Sequence, residues 1–411
     1  MPQLYPAMIG TISIIVHKES VVEKLSEKVF SWASDIDDLT RDQVLKTGRA
    51  AFVAGPIALM PDAHLGIGST VGSVIPTQGA IIPAAVGVDI GCGMVAVRTS
   101  LRAGHLPDDM GKYLAQATRD IPAGIGQGHE NPTDAAVAWF LDNPPPTELS
   151  DRQKSSSVLQ FGSLGSGNHF YEVCLDELDN VWLVLHSGSR GIGNQLARCH
   201  IEIAKDLAKH LAVPLEDPDL AYLLEDTPEF SAYISDMLWS QRYARANRDA
   251  MMDAALRGFF RFVGAGREVN RINCHHNFTE QEWHGGKKLW ITRKGAISAK
   301  LGEWGVVPGS MGTRSYIVRG LGNPLSYCSS AHGAGRRMSR GRARRELTIE
   351  SFSKQMQGIV WQQENAKDLL DEAPGAYKDI DQVMDDQKDL TRIVHTLHQV
   401  FNYKGVERSR R

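Results

Sequence analysis

The stretch Val181-Trp182-Leu183-Val184-Leu185-His186-Ser187-Gly188-Ser189-Arg190-Gly191 has five consecutive apolar residues that stop at a histidine and a glycine-rich turn. A continuous apolar run of that length reads as a buried strand. Beyond the turn, Asn194–Leu211 returns apolar residues at helical spacing, and Pro228–Val263, rich in Ala, Met and Leu, does the same. Upstream, residues 54–100 hold short β-branched runs punctuated by Gly and Pro, the pattern of strands and tight loops. Downstream, Lys287–Ala299 alternates as a strand does.

The remaining segments complete a mixed picture. Ser20–Ser34 has apolar residues at helical spacing after a Ser placed to cap it, and Pro107–Asp120 also reads as helix. Residues 124–150 are polar and contain Pro144-Pro145-Pro146, which predicts a surface loop. Leu347–Glu372 and Tyr377–Phe401 are amphipathic and close the chain. There is no internal repeat, low-complexity tract or clean linker. The expectation is an α+β fold, central β-sheets flanked by helices, in one large domain over 1–411 with a short basic tail at 406–411.

Composition narrows the function classes. Lys and Arg total 45 against 48 Asp and Glu, so a generally basic nucleic-acid coat is excluded and any polyanion site must be local. No apolar stretch approaches the ~18 residues of a membrane span, and Met1–Pro6 lacks the features of a secretory signal. The five cysteines are odd in number and form no CxxC pair, which fits a reducing compartment. A soluble cytoplasmic protein is expected. Many of the glycines gather in Gly55–Gly93, Phe161–Gly193 and Gly302–Gly335. Glycine allows positive φ and close backbone approach, so three such clusters suggest one site assembled from three distant segments.

Ligand-type side chains fall in or beside these clusters. Asp89 and Cys92 lie in GVDIGCGM (87–94), His169 in GSGNHFYE (165–172), His186 at the end of the apolar run, and His275-His276 in CHHN (274–277). A carboxylate, a thiolate and several imidazoles suit Mn, Fe, Co or Zn better than Mg or Ca. Taken singly, a cysteine is most often a buried hydrophobe and a strand-end histidine a core group. The third cluster, PGSMGTRSY (308–316) and HGAGR (332–336), offers Gly-freed amides and hydroxyls of the kind that hold phosphate. Arg190 and Arg336 add guanidiniums suited to RNA or nucleotide phosphate. RRMSRGRARR (336–345) puts six Arg in ten residues, a local polyanion footprint or a solvated face. His332 stands between the phosphate-type loop and the basic run, where a histidine can attack phosphorus. On residues alone, a metallo-phosphodiesterase and a non-catalytic RNA-binding module remain open.

With MPDAHLG (60–66) and HSGSRGIGN (186–194) added, the motifs resemble, in order, those of the RtcB family, the GTP- and Mn²⁺-dependent RNA-splicing ligases. The resemblance runs from about Phe52 to Lys404. It implies that Asp89, Cys92 and His169 hold one Mn²⁺, and that Cys92 bridges to a second held by His186 and His276, the histidine that precedes Asn277. It implies that His332 becomes guanylylated. GTP contacts are implied for Asn168, His169, Phe170, Tyr171, Glu172, His276 and Asn277. The same holds for Pro308, Gly309, Ser310, Met311, Ser315, His332, Gly333, Ala334, Gly335 and Lys404, with Tyr377 nearby. The implied reaction joins RNA 2′,3′-cyclic phosphate or 3′-phosphate ends to 5′-hydroxyl ends through a histidine–GMP intermediate. The implied partners are RNA, including tRNA halves, GTP and an accessory activating protein. An ionised Glu172 would accept guanine N1–H and the N2 amino group together, and Lys404 would meet O6.

Overall fold

In the computed structural model the apolar run lies in strand Asn180–Ser187, buried from Val181 onward. The structure describes residues 22–406, so Met1–Pro6, Ser20 and the tail from 407 lie outside the described residues. The strand belongs to a seven-stranded antiparallel sheet. Its order is Glu268–His275, Gly93–Arg102, Asn180–Ser187, Phe170–Leu175, Thr391–Lys404, Ser315–Gly320, Trp304–Val307. Antiparallel sheets often keep one wet face, but this one is covered on both. Leu183 and Leu185 face a core shared with Met251, Phe259 and Tyr113. Trp182 and Val184 face a second core with Ile272, Val306 and Leu397. Apolar residues on both alternating faces explain the unbroken run.

The helix packed against this sheet, Pro228–Val263, spans the 36 residues that its periodicity indicates. Thr227 Oγ1 caps it by accepting from Phe230 N, Pro228 occupies the first turn, and Gly264 ends it at φ +81°. A second, six-stranded sheet runs Glu23–Ser26, Val29–Ser31, Ile57–His64, Val71–Thr77, Lys287–Lys294, Asn277–His284. Chain 275–277 passes from an edge strand of one sheet to an edge strand of the other. The functional histidines collect at this junction. The fold is α+β, as expected. Among the described residues no helix is long and apolar enough to cross a membrane.

Three local expectations fail for physical reasons. The described part of Ser20–Ser34 forms two short antiparallel strands, not a helix. A segment of that length is marginal as a helix, and Val29–Ser31 instead pairs in parallel with Ile57–Leu59 while Val29 is buried. The 124–150 segment contains helix Asp134–Asp142, capped by Thr133, although its proline run does remain loop. Trp139 from that helix stacks with Phe161 and meets Trp239 and Tyr243, burial that its composition hides. The amphipathic Tyr377–Phe401 segment yields a short helix, Ile380–Asp386, and a fourteen-residue strand, Thr391–Lys404. The strand's register shifts between Gln399 and Phe401. Leu397 therefore enters one core and Phe401 the other, and such a bulge breaks the period-2 signal.

Candidate active site

Four ligand-type side chains come together at the ends of the central strands. Asp89 and Cys92 close a tight turn, Cys92 N donating to Asp89 O at 3.1 Å, just before strand Gly93–Arg102. Cys92 Sγ lies 3.4 Å from His169 Nε2 and 3.2 Å from His186 Nε2. His169 Nε2 is 3.0 Å from Asp89 Oδ2. His276 joins from the sheet junction, its Nε2 3.2 Å from that of His186, while its backbone N donates to Cys92 O at 2.8 Å. Two triads result, Asp89–Cys92–His169 and Cys92–His186–His276, each with donor atoms within 4.8 Å of one another. His275 faces elsewhere, its Nδ1 2.9 Å from Gly91 O.

The donor set fits divalent metal. His169 Nδ1 donates to Leu164 O and His186 Nδ1 to Asn168 O, which leaves each Nε2 a lone pair. Lone pairs of two imidazoles and a sulfur then face one another at van der Waals distance, and a cation satisfies all three. Burial disfavours charge on Asp89, but the contacts of its carboxylate with His169, Cys92 and Arg190 together bring it down to about 2. Burial also pushes the Cys92 thiol up and holds His186 and His276 well below the usual imidazole value. Two glycines make the packing possible. A Cβ at Gly188 would sit 2.1 Å from Asp89 Oδ1, and one at Gly165 (φ +97°) 2.1 Å from Arg190 Nη1.

His332 follows the short strand Ser329–Ala331, and its ring centroid lies 4.7 Å from that of His276. Its Nδ1 donates to Asp62 Oδ2 at 2.6 Å, and the same oxygen accepts the backbone N–H groups of His332 and Gly333. Asp62 is fully buried. Asp62 lies in MPDAHLG (60–66), a motif whose residues carry no expected role. The signal was present, a lone carboxylate in the buried run IALMPDAH (57–64). His64 hangs from the same residue, Nδ1 donating to Asp62 O, and burial lowers its pKa to about 4.

A cavity of about 350 Å³ opens beside His332, and Asp89, Cys92, Asn168, Phe170, Glu172, Asn277, Pro308–Met311, Gly333–Gly335 and Lys404 line it with His186 and His276. Glu172 is buried, accepts from Asn402 Nδ2 at 2.7 Å, and burial raises its carboxyl to about 8. Lys404 Nζ donates to Glu372 Oε2 at 3.0 Å and contacts Asn168 O at 3.4 Å. Arg336 also reaches Glu372, at 3.2 Å, and Tyr377 OH donates to it at 2.8 Å. Burial opposes charge on Glu372, but Lys404 and Arg336 bring it down to about 2. Glu372 thus joins the cavity wall, and no local motif marks it. Lys294, buried on the same wall, donates to Ala84 O and Ile67 O, and burial lowers its pKa to about 7.

Some expected residues sit apart from the cavity. Tyr171 points to the opposite face of its strand, its hydroxyl 2.9 Å from that of Tyr113 in the core. Ser315 accepts from Gly309 N and so supports the 308–311 loop from behind. His169 faces Asp89 and Cys92 and does not line the cavity. Arg190, at φ +58°, donates to Ser163 Oγ, and its guanidinium lies against Gly165 near Asp89. In the arginine run, Arg336 engages Glu372, Arg340 and Arg344 reach Asp371, and Arg342 pairs with Glu346. Much of that run is internally neutralised.

A family model described as tRNA-splicing ligase RtcB matches residues 43–405. The chain belongs to the RtcB family. It is 41% identical to the RNA-splicing ligase RtcB of Escherichia coli K12, over 93% of this chain and 98% of that one. It is 30% identical to the RNA-splicing ligase RtcB of Mycobacterium tuberculosis, over 84% and 96%, and 29% identical to the tRNA-splicing ligase RtcB of Nanoarchaeum equitans, over 91% and 92%. The RtcB match spans the His/Cys/Asp cluster and the Gly-rich loop that carries His332.

Proposed function

We propose that this chain is a GTP-dependent RNA ligase that joins 2′,3′-cyclic phosphate or 3′-phosphate ends to 5′-hydroxyl ends, with His332 as its nucleophile. The observation that carries the reading is the placement of His332. Its Nδ1–H is fixed on Asp62, and its ring lies against His276 with both rings lining the cavity. Anchoring Nδ1 leaves the lone pair on Nε2, the form of imidazole that attacks phosphorus near pH 7.

The first step forms a bond from His332 Nε2 to the GTP α-phosphorus and breaks the bond to pyrophosphate, which leaves with the electron pair. Where the RNA ends in a 2′,3′-cyclic phosphate, water first attacks the phosphorus and the P–O2′ bond breaks, leaving a 3′-phosphate and a 2′-hydroxyl. A 3′-phosphate oxygen then displaces His332 from the GMP, and a 5′-hydroxyl finally attacks the activated 3′-phosphate, expelling GMP and losing its proton. Two Mn²⁺, one on Asp89, Cys92 and His169 and one on Cys92, His186 and His276, would neutralise phosphoryl charge when bound. The Gly333–Gly335 turn and the Pro308–Met311 loop border the cavity where phosphate would lie. Glu172 and Lys404 form the wall suited to guanine. RNA is the polymer substrate, with tRNA halves and an accessory activating protein as partners. All five cysteines are unpaired, which supports a cytoplasmic setting.

Incubation with Mn²⁺ and α-labelled GTP should label the protein, and γ-labelled GTP should not. The label should be acid-labile and alkali-stable, as a P–N bond is. Retained labelling in His332→Ala would overturn the assignment.

A further inference from the structure

Arg248, near the middle of helix Pro228–Val263, is fully buried, and no carboxylate pairs with it among the described residues. Its Nη1 donates to Gly91 O at 2.7 Å and to Ser187 O at 3.1 Å, and its Nε donates to Asn273 Oδ1 at 2.9 Å. Nη2 lies 3.2 Å from His275 Nδ1, which is itself 2.9 Å from Gly91 O. Three of these four neighbours each adjoin a residue of the histidine–cysteine cluster. Gly91 precedes Cys92, Ser187 follows His186, and His275 precedes His276.

We propose that Arg248 is the positioning residue of the metal site, a single guanidinium that holds the backbone carbonyls beside Cys92 and His186 and the imidazole beside His276 and so sets the register of three strands against one another. The proposal rests on the reading of that cluster as a metal centre. The three groups lie at or just beyond the ends of separate strands, Gly93–Arg102, Asn180–Ser187 and Glu268–His275, that are neighbours in one sheet. Sheet hydrogen bonds define the strands' register only up to their ends, and the ligands sit at those ends. Arg248 continues the register past the last ladder bond. Its planar fork reaches several acceptors at fixed angles, which a lysine ammonium cannot do. The site is shaped to it: a Cβ on Gly93 would come within 3.0 Å of Arg248 Cζ. A buried cation beside a divalent metal repels it, so its use here is geometric.

The test is metal binding by the full chain. Arg248→Lys keeps the charge and loses the fork. It should bind Mn²⁺ about 10–100-fold more weakly in equilibrium dialysis, the usual cost of losing a group that orients ligands. Its Co²⁺ form should also change in thiolate-to-metal and d–d absorption. Asn273→Ala, which removes only the support at Nε, should shift both readings in the same direction by less. A folded Arg248→Lys variant with wild-type Mn²⁺ affinity and Co²⁺ spectrum overturns the proposal. If that variant does not fold, wild-type behaviour of Asn273→Ala overturns it instead. A wild-type chain that takes up neither ion is a different result, which overturns the metal reading and this proposal with it.

Discussion

The two walls of one cavity follow opposite rules. On the wall proposed to hold metal, Cys92, His186 and His276 turn lone pairs towards one another at 3.2 Å, with His169 outside the cavity 3.4 Å from Cys92 Sγ and no proton placed to satisfy them all. On the wall proposed for the nucleotide, Lys404, Arg336 and Tyr377 are already satisfied by Glu372, and Glu172 is held by Asn402. The first arrangement gains from an added cation. The second must exchange partners before a base can bind. Substitutions on the metal wall should therefore abolish chemistry outright, while those on the nucleotide wall should tune affinity and pH dependence.

The largest effect is expected at Cys92, which belongs to both triads. Cys92→Ala should leave no detectable guanylylation, and Cys92→Ser should do little better, because a neutral hydroxyl is a poor replacement for a thiolate. Residual activity within ~10–100-fold of wild type would place Cys92 outside the ligand set. Next comes Asp62, the hinge between the two walls. Asp62→Asn keeps shape and metal but lets the amide donate to His332 Nδ1, favouring the wrong tautomer. Guanylylation should fall by ~10²–10⁴ with Mn²⁺ content unchanged. Loss of metal in this variant would show that Asp62 acts through the cluster.

The same contrast explains what was legible in the sequence. Asp89, Cys92, His169 and His186 sit near strand ends beside glycine-rich turns, so each was visible as a donor residue there, while His276, between two strands with no glycine beside it, was singled out from His275 by the family resemblance. The long helix could be read to its ends because Thr227, Pro228 and Gly264 mark them. Glu372 was hidden because it acts through contacts with Arg336, Tyr377 and Lys404, residues 36, 5 and 32 positions away. Arg248 was hidden for a similar reason, since nothing in ARANRDAMMD distinguishes it from a solvated helix arginine. The strand carrying Lys404 was obscured by a bulge that gives Leu397 and Phe401 helical spacing.

Glu172 sharpens the comparison through pH. Its carboxyl, raised to about 8 by burial, is protonated at neutral pH. Accepting both guanine donors requires the ionised form, so nucleotide binding must release a proton. GTP affinity should rise about tenfold per pH unit below pH 8 and level off above it. Calorimetry in buffers of different ionisation enthalpy would count the proton. Stability should run the other way. Because the folded value lies above the ordinary 4.5, Glu172's contribution is complete below pH 4.5 and is lost as pH rises through about 8. Glu172→Gln should flatten the affinity profile and weaken GTP ~10–100-fold, the worth of a charge-assisted hydrogen bond. A profile unchanged in that variant would assign the proton to another group.

The smallest effect is expected in the arginine run, where a polyanion footprint and an internally paired network make different predictions. Arg340 and Arg344 reach buried Asp371, and Arg342 pairs with Glu346. Arg337 and Arg345 are exposed, and no carboxylate pairs with them among the described residues. Each phosphate contact to single-stranded RNA adds ~0.7 to the slope of log affinity against log salt. Replacing Arg337 and Arg345 with Ala should therefore flatten that slope by at most about 1.4. Replacing Arg340 and Arg344 should change the slope less but strand Asp371 as an uncompensated buried carboxylate, and so lower thermal stability. His332 guanylylation should survive in the Arg337 and Arg345 variant, because neither side chain lines the nucleotide cavity. If the slope instead follows Arg340 and Arg344, those arginines exchange Asp371 for phosphate when RNA binds, and both halves of the cavity's surroundings obey the exchange rule of the nucleotide wall.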